Sequence, residues 1–449
     1  MKFEFTPTAD ALVKLIFDDE DLKSGTLKLE LGAEQPTLLL GMGKKDDIKN
    51  AAIRKAFFGV PGELLKYDAK SVRIEGLEDP TQLAAAYEGL WMGNYVFTRY
   101  KEDKQADKRL ETLALDEIDG LKEALEESQV LMKSADFTRY LVNSRAIDLY
   151  PETLAELAKQ ELEPLGVSVE VFGRDKSQEL GLKAFLAVSE GSDKEPQVII
   201  AKYNGAGNEP YAALVGKGLT YDSGGYGIKS TEGMGTMHSD MAGSATVLGA
   251  IRAIAEAKLK KNVYAVVLAC ENMIDGSAYK NGDIISSHLG KTIEINSTDA
   301  EGRLTLADAL SYTEEALKPS YMVDVATLTG AVIIALGDVA AGAVGNDDEL
   351  MKDVLAAAEV SDEPIWQLPN FDEYKEQYKS TFADLKNTGG RGAGTITAGL
   401  FLGEFVQDTP WVHLDVAGVT YRADKAKPPH PAGASGFGVK ALYQLVKNR

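Results

Sequence analysis

Between Gln197 and Gly418 the chain alternates strand-like and helical patterns, and this alternation limits the possible folds more than any other feature. "QVIIAKYN" (197–204) and "YAALVGKGLTY" (211–221) are short apolar runs. "GSATVLGAIRAIAEAKL" (243–259) then shows helical spacing, with small residues on one side suited to close packing. "NVYAVVLAC", "RLTLADALSYTEEAL", "YMVDVATLTG" and "WVHLDVAG" continue the pattern as strand, helix, strand and strand. Such a chain is expected to form a mostly parallel sheet covered by helices on both faces. In these sheets, ligands sit beyond the carboxyl ends of the strands.

The first hundred residues mix strand-like runs ("TLKLELG", "PTLLLGMG", "SVRIEGL") with helical ones ("DDIKNAAIRKAFFGV", "TQLAAAYEGLWMGNYVF"). A chain of 449 residues is too long for one ordinary core, so two domains are expected. The expected α/β organisation has a smaller N-terminal α/β domain over 1–114, a linking helix over 115–146 and a larger domain over 147–449. "TRYKEDKQADKRLE" (98–111) reads as an exposed connection, and Pro151 sits where the first helix of the larger domain should begin.

A net charge of −21 argues against nucleic acid as a partner, because phosphate binding needs a basic surface. No run of 18 apolar residues exists, so no membrane span is expected. The first residues lack the basic-then-apolar pattern of a signal peptide. Cys270, the only cysteine, lies in a strand-like run and reads as a buried, inert thiol. A single thiol excludes intrachain disulfides and thiolate zinc sites, and fits a reducing cytoplasm. The four histidines, His238, His288, His413 and His430, include no pair four residues apart. If a metal is bound, carboxylates must supply most of its ligands.

Two segments carry suitable carboxylates. "LVGKGLTYDSGGYGIKSTEGMGTMHSD" (214–240) places Lys217 near a strand end, then Asp222, Lys229 and Asp240 in a glycine-rich stretch. Its "GIKS" lacks the spacing of a phosphate-binding loop. "NSTDAEGRLTLADAL" (296–310) sets Asp299, Glu301 and Arg303 on alternate residues, with Gly302 expected to let the backbone turn and a helix expected from Leu304. Asp308 reads as a structural or capping residue. Asp222, Asp240, Asp299 and Glu301 converging above a sheet would repel one another and take up protons. Two divalent cations would offset the charge, and two neighbouring cations are a recognised hydrolytic device. Lysine must be neutral to bind a metal, and a nearby dication can lower its pKa enough. Lys229 and Arg303 would stay positive and face a substrate oxygen.

The segments "VGKGLTYDSGGYGIKS", "MHSDMAGSATVLGA" and "STDAEGRLTLADAL" resemble the signature of the leucyl aminopeptidase family, the two-metal M17 peptidases. "LVNSRAIDLYPETLAE", "ENMIDGSAYKNGDIISSHLGKTIEI", "FADLKNTGGRGAGTITAGLFLGEFV" and "WVHLDVAGVTYR" extend the resemblance over about residues 138–445, and the N-terminal region matches more loosely. The resemblance implies that Lys217, Asp222, Asp240 and Glu301 hold one metal and Asp222, Asp299 and Glu301 the other. It implies zinc or manganese, with cobalt or magnesium also suited, and a bicarbonate ion held by Arg303. Lys229 would stabilise the tetrahedral oxygen. Met237, Ser297, Thr327, Leu328 and Gly330 would border the substrate. Ser297 stands where the family usually has Asn, which shortens the hydrogen-bonding reach beside the first side chain. Ile274-Asp275 stands where Pro-Ser is frequent. His238 is expected beside the site rather than as a ligand.

The activity so implied is metal-dependent release of apolar, leucine-like N-terminal residues from short peptides by a cytoplasmic homohexamer. Two alternatives stand beside it. One is a narrow-specificity dipeptidase of the same chemistry. The other is a non-catalytic DNA-binding scaffold, against which the intact ligand set and the acidic charge both argue.

Overall fold

A strand whose side chains are apolar on both faces needs cover on both. The strand Tyr211–Asp222 is buried at every position from 212 to 220. The computed structural model describes residues 1–30, 34–45, 48–102, 109–423 and 425–449, and shows how that cover is arranged. Parts of three sequence readings lie outside the described residues: 103–108 of the charged connection, 31–32 of "TLKLELG" and 46–47 of "DDIKNAAIRKAFFGV".

The chain divides into two compact units. One is Met1–Asp136 with a short segment ending at Gly433; the other is Phe137–Ala423 with Ala434–Arg449. The division falls within the helix Leu121–Asn143.

In the first unit the strands lie in the order Lys2–Phe5, Thr112–Leu115, Ser71–Glu75, Ala11–Phe17, Thr37–Gly43 and Leu27–Leu29. All neighbours are parallel except the last pair. The helix Pro80–Asn94 begins where its sequence dictates: Asp79 accepts hydrogen bonds from the Thr81 and Gln82 backbone N–H groups, and Pro80 supplies a preset φ. It packs on the helix Asn50–Phe57, and Gly89 permits the close approach, since a Cβ there would lie 2.5 Å from the Arg54 carbonyl oxygen.

In the second unit the strand order is Ile365–Gln367, Ala341–Gly345, Trp411–Asp415, Tyr321–Ala326, Tyr211–Asp222, Asn262–Asn272, Gln197–Asn204 and Ser168–Phe172. The four from Trp411–Asp415 to Asn262–Asn272 are mutually parallel. Antiparallel pairings join them to the strands beyond on either side. The mostly parallel sheet expected from the alternation is present, with antiparallel margins.

Successive side chains of a strand point to opposite faces. A Cβ on Gly216 would lie 2.6 Å from the Ser244 Cα, so the helix Ala242–Glu256 lies directly on that face. Lys217, the next residue, runs along Gly302 of the helix Glu301–Tyr312 on the other face. Helices therefore cover both faces, as expected.

One local expectation is overturned. The helix starts at Glu301, not Leu304, so Glu301, Gly302 and Arg303 form its first turn. Gly302 is an ordinary helical residue that makes no backbone turn. Its value is its missing side chain: a Cβ would lie 2.5 Å from Lys217 Cε and 2.7 Å from Nζ.

Candidate metal centre

The strand Tyr211–Asp222 carries Lys217 and ends on Asp222, so one strand delivers two of the site's groups. A register shift between Cys270 and Glu271 in the neighbouring strand then sets Asn272 opposite Asp222. Asn272 Nδ2 donates to Asp222 Oδ1 at 2.8 Å and to the Thr298 carbonyl oxygen at 3.0 Å. The Gly224 backbone N–H also donates to Asp222 Oδ1, at 2.8 Å. Thr298 ties the two loops together, donating to the Gly224 carbonyl at 2.7 Å and accepting from the Gly227 N–H at 2.7 Å. Gly224 is required twice over. Its φ is +85°, and a Cβ would lie 2.7 Å from Asp299 Oδ1. The glycine-rich stretch is therefore a pinned support for two carboxylates.

Lys217 Nζ lies 2.8 Å from Asp240 Oδ2, 2.9 Å from Glu301 Oε1 and 3.0 Å from the Thr327 carbonyl. Lys229 Nζ lies 2.7 Å from Asp222 Oδ2 and 2.5 Å from Asp299 Oδ1. Lys217, Asp222, Asp240 and Glu301 are buried, while Asp299 reaches solvent. Asp222, Asp299 and Glu301 each offer an oxygen within 4.8 Å of the others. Asp240 joins this trio through Lys217. Four carboxylates against two ammonium groups leave two negative charges in a largely buried cluster.

The titrations follow from that imbalance. Burial, reinforced by Glu301, pushes Asp222 up to about 6. Burial, with Glu301 and Asp222 adding to it against Lys217, pushes Asp240 up to about 7. Burial also raises Asp299. Glu301 goes the other way: burial is outweighed by Lys217 and Lys229, which hold it below the usual carboxylate range. Burial alone would lower Lys217, but Asp240, Glu301 and Asp222 outweigh it and keep it above the usual lysine value.

These residues fit divalent cations. Glu301 Oε2 is buried with no hydrogen-bond partner among the described residues. Asp240 Oδ2 touches Lys217 only as an ion-pair contact, outside hydrogen-bond geometry. Buried carboxylate oxygens left without donors are costly unless a cation meets them.

The twelve residues given a metal, catalytic or substrate role from the sequence all line one cavity of about 670 Å³ at the carboxyl ends of the central strands. Lys217, Asp222, Lys229, Asp240, Asp299, Glu301 and Arg303 form its charged part. Met237, Ser297, Thr327, Leu328 and Gly330 also line it, as do Ile333, Ala417 and Tyr421. Arg303 Nη1 donates to the Asn387 carbonyl at 2.5 Å, and its Nε is buried with no partner among the described residues. His238 is buried and does not line the cavity. Arg145 hydrogen-bonds its ring, which also meets Tyr421 edge-on at 5.2 Å between centroids. Burial, with Arg145 beside it, lowers His238 to about 4. Asp308 lies away from the cavity and accepts from the Phe185 N–H at 2.9 Å and the His288 N–H at 2.7 Å, a structural tie between segments.

Sequence reasoning passed over Asn272 and Asn387. Asn387 Oδ1 accepts from the Asn296 and Ser297 N–H groups, its Nδ2 donates to the Ser297 carbonyl at 2.6 Å, and its own carbonyl holds Arg303. The only signal was a polar residue at a strand-like run's end ("ACENM") or inside a glycine-rich stretch ("LKNTGG"). Neither names its partner.

The model of the cytosol aminopeptidase family's catalytic domain matches residues 136–443, and that of its N-terminal domain matches residues 26–104. The chain belongs to the cytosol aminopeptidase family. A Clostridium tetani member named "Probable cytosol aminopeptidase" is 50% identical over 425 residues, covering 92% of this chain and 88% of its own. A Treponema denticola member of the same name is 41% identical over 476 residues and covers 99% of both chains. Among solved structures, "Bottromycin maturation enzyme BotP in complex with Mn" is similar with a TM-score of 0.90 at 29% identity, covering 98% of this chain and 99% of that one. As a member of the family, this protein is a metal-dependent aminopeptidase, a hydrolase acting on peptides. Among the described residues, no helix is long and apolar enough to cross a membrane.

Proposed function

We propose that the cavity binds two divalent cations, zinc or manganese, and removes apolar N-terminal residues from short peptides. Asp222, Asp299 and Glu301 would hold one cation, and Lys217, Asp222, Asp240 and Glu301 the other. The carrying observation is Glu301: it belongs to the close carboxylate trio, contacts Lys217 beside Asp240 through Oε1, and keeps Oε2 buried without a donor. Bound there, the cations supply Lewis acidity that activates water and polarises the scissile carbonyl.

The chain's own groups do the rest. Lys229, whose ammonium lies between Asp222 and Asp299, would donate to the carbonyl oxygen as negative charge builds there. Arg303 is fixed by Asn387 and has its Nε left to hold an anion. Bicarbonate at Arg303 would supply a base for the proton released from water. Met237, Leu328 and Ile333 give the cavity an apolar wall that suits a leucine-like first side chain, with Met237 adaptable in shape. Ser297 Oγ accepts from the Asp299 N–H at 3.2 Å, so it supports the carboxylate loop as well as bordering the cavity. By family resemblance, the working form is a cytoplasmic homohexamer.

The test is hydrolysis of an aminoacyl-p-nitroanilide panel and a peptide-length series by chelator-stripped protein, with zinc or manganese restored. The expected result is metal-dependent release, fastest with leucyl and methionyl substrates and extending beyond dipeptides. Turnover confined to dipeptides would replace this reading with the narrow dipeptidase. Metal content of one cation per chain at saturation would remove the two-cation site.

A further inference from the structure

One buried carboxylate outside the cation cluster holds much of the cavity's apolar side. Asp415 ends the strand Trp411–Asp415, is 0% exposed, and lies opposite Ala326, the last residue of the neighbouring strand. Its Oδ1 accepts from the backbone N–H groups of Leu328 at 3.2 Å, Thr329 at 3.4 Å and Ala417 at 3.3 Å. Its Oδ2 accepts from the Thr329 hydroxyl at 2.6 Å. That hydroxyl in turn accepts from the Val332 N–H at 3.1 Å, capping the helix Gly330–Leu336, and lies 3.0 Å from the Thr395 hydroxyl. Leu328, Thr329, Gly330, Ile333 and Ala417 all line the cavity. None of the Asp415 bonds reaches Lys217, Asp222, Asp240, Asp299 or Glu301.

We propose that Asp415, acting through the Thr329 hydroxyl, is a positioning residue that sets the width of the first-residue pocket. Residues 327–329 have left the strand and have no sheet partners, so their backbone donors need another acceptor. Asp415 provides it for Leu328 and Thr329, and through the hydroxyl it fixes the start of the helix that brings Ile333 to the cavity. Ala417, held by the same oxygen, stands two residues further along the chain. One carboxylate therefore sets the separation between segments 328–333 and 417. The inference rests on the reading that this cavity seats the first side chain.

The experiment compares kcat/KM for leucyl and alanyl p-nitroanilides, with metal content measured on the same samples, in the parent and in Thr329→Val, Thr329→Ser, Asp415→Asn and Met237→Ala. Thr329→Val keeps the shape and removes the hydroxyl. It should lower the leucyl-to-alanyl preference by about tenfold, mainly through KM, with metal content as in the parent. Thr329→Ser should restore the preference to within about twofold. Asp415→Asn keeps an acceptor for the backbone donors but weakens the link to the hydroxyl, and should fall between them. It decides the matter if Thr329→Val does not fold. An unchanged preference in both Thr329→Val and Asp415→Asn, with Met237→Ala altered, would overturn the inference and leave the pocket reading standing. An unchanged preference in all of them would overturn both. Loss of metal in Thr329→Val would also overturn it, because the residue would then be supporting the cation cluster.

Discussion

At the residue scale, the centre works by crowding groups that would each be costly alone. Glu301 is buried, carries a donorless oxygen and is kept ionised by two lysines. Glu301→Gln keeps the size and removes the charge, so it should lower hydrolysis by about 10²-fold or more and reduce bound metal, read by elemental analysis after dialysis. Lys229→Met should lower kcat by about 10²–10³-fold with little change in KM, because its role is assigned to charge that develops only in the transition state. Gly302→Ala separates local from tertiary effects. Alanine in a helix gains about 1 kcal/mol over glycine, so the helix itself should not suffer. The new Cβ would displace the buried Lys217 end, 2.5 Å away, so metal affinity and activity should fall while far-UV circular dichroism stays as in the parent. An unchanged metal affinity would mean that Lys217 is not needed where it stands.

At the scale of elements, the site depends on ties between segments distant in sequence. Asp308 fastens the N–H groups of Phe185 and His288, and burial pushes its carboxyl up to about 7. An acid whose folded pKa is raised stabilises the fold while protonated, and that contribution is lost as pH rises through about 4 to 7. Asp308→Asn cannot ionise. The stability advantage of the parent over this variant, from urea titrations, should therefore be larger at pH 4 than at pH 8. In the N-terminal unit, Arg54 Nε meets Glu88 Oε2 at 2.5 Å, and Ser128 Oγ donates to Glu88 Oε1 at 3.0 Å, all buried. Glu88→Ala breaks this buried pair and should cost about 3–5 kcal/mol in chemical denaturation.

At the scale of the whole molecule, the acidic surface and the family's assembly lead to separate expectations. A net charge of −21 opposes binding to polyphosphate, so an electrophoretic shift of DNA at physiological salt should be absent. If the hexamer carried over by resemblance forms, light scattering at micromolar concentration should report six times the chain mass of 48.4 kDa. A monomeric mass with full activity would show that catalysis needs no assembly.

The sequence by itself determined the α/β class, the alternation that makes a sheet with helices on both faces, and the segments that carry the charged groups. These are properties of local pattern: periodicity, strand-end position, and the order of motif residues along the chain. Only the tertiary structure decided how those residues are held. The helix start at Glu301 turned Gly302 from a hinge into a space for Lys217. A register shift between two strands put Asn272 against Asp222. Asn387 and Asp415 found partners dozens of residues away, Arg303 and Leu328 among them. A buried polar side chain gains its meaning from whichever donor or acceptor the fold brings within about 3 Å, and for Asn387 with Arg303 or Asp415 with Leu328 no window of neighbouring residues contains that partner.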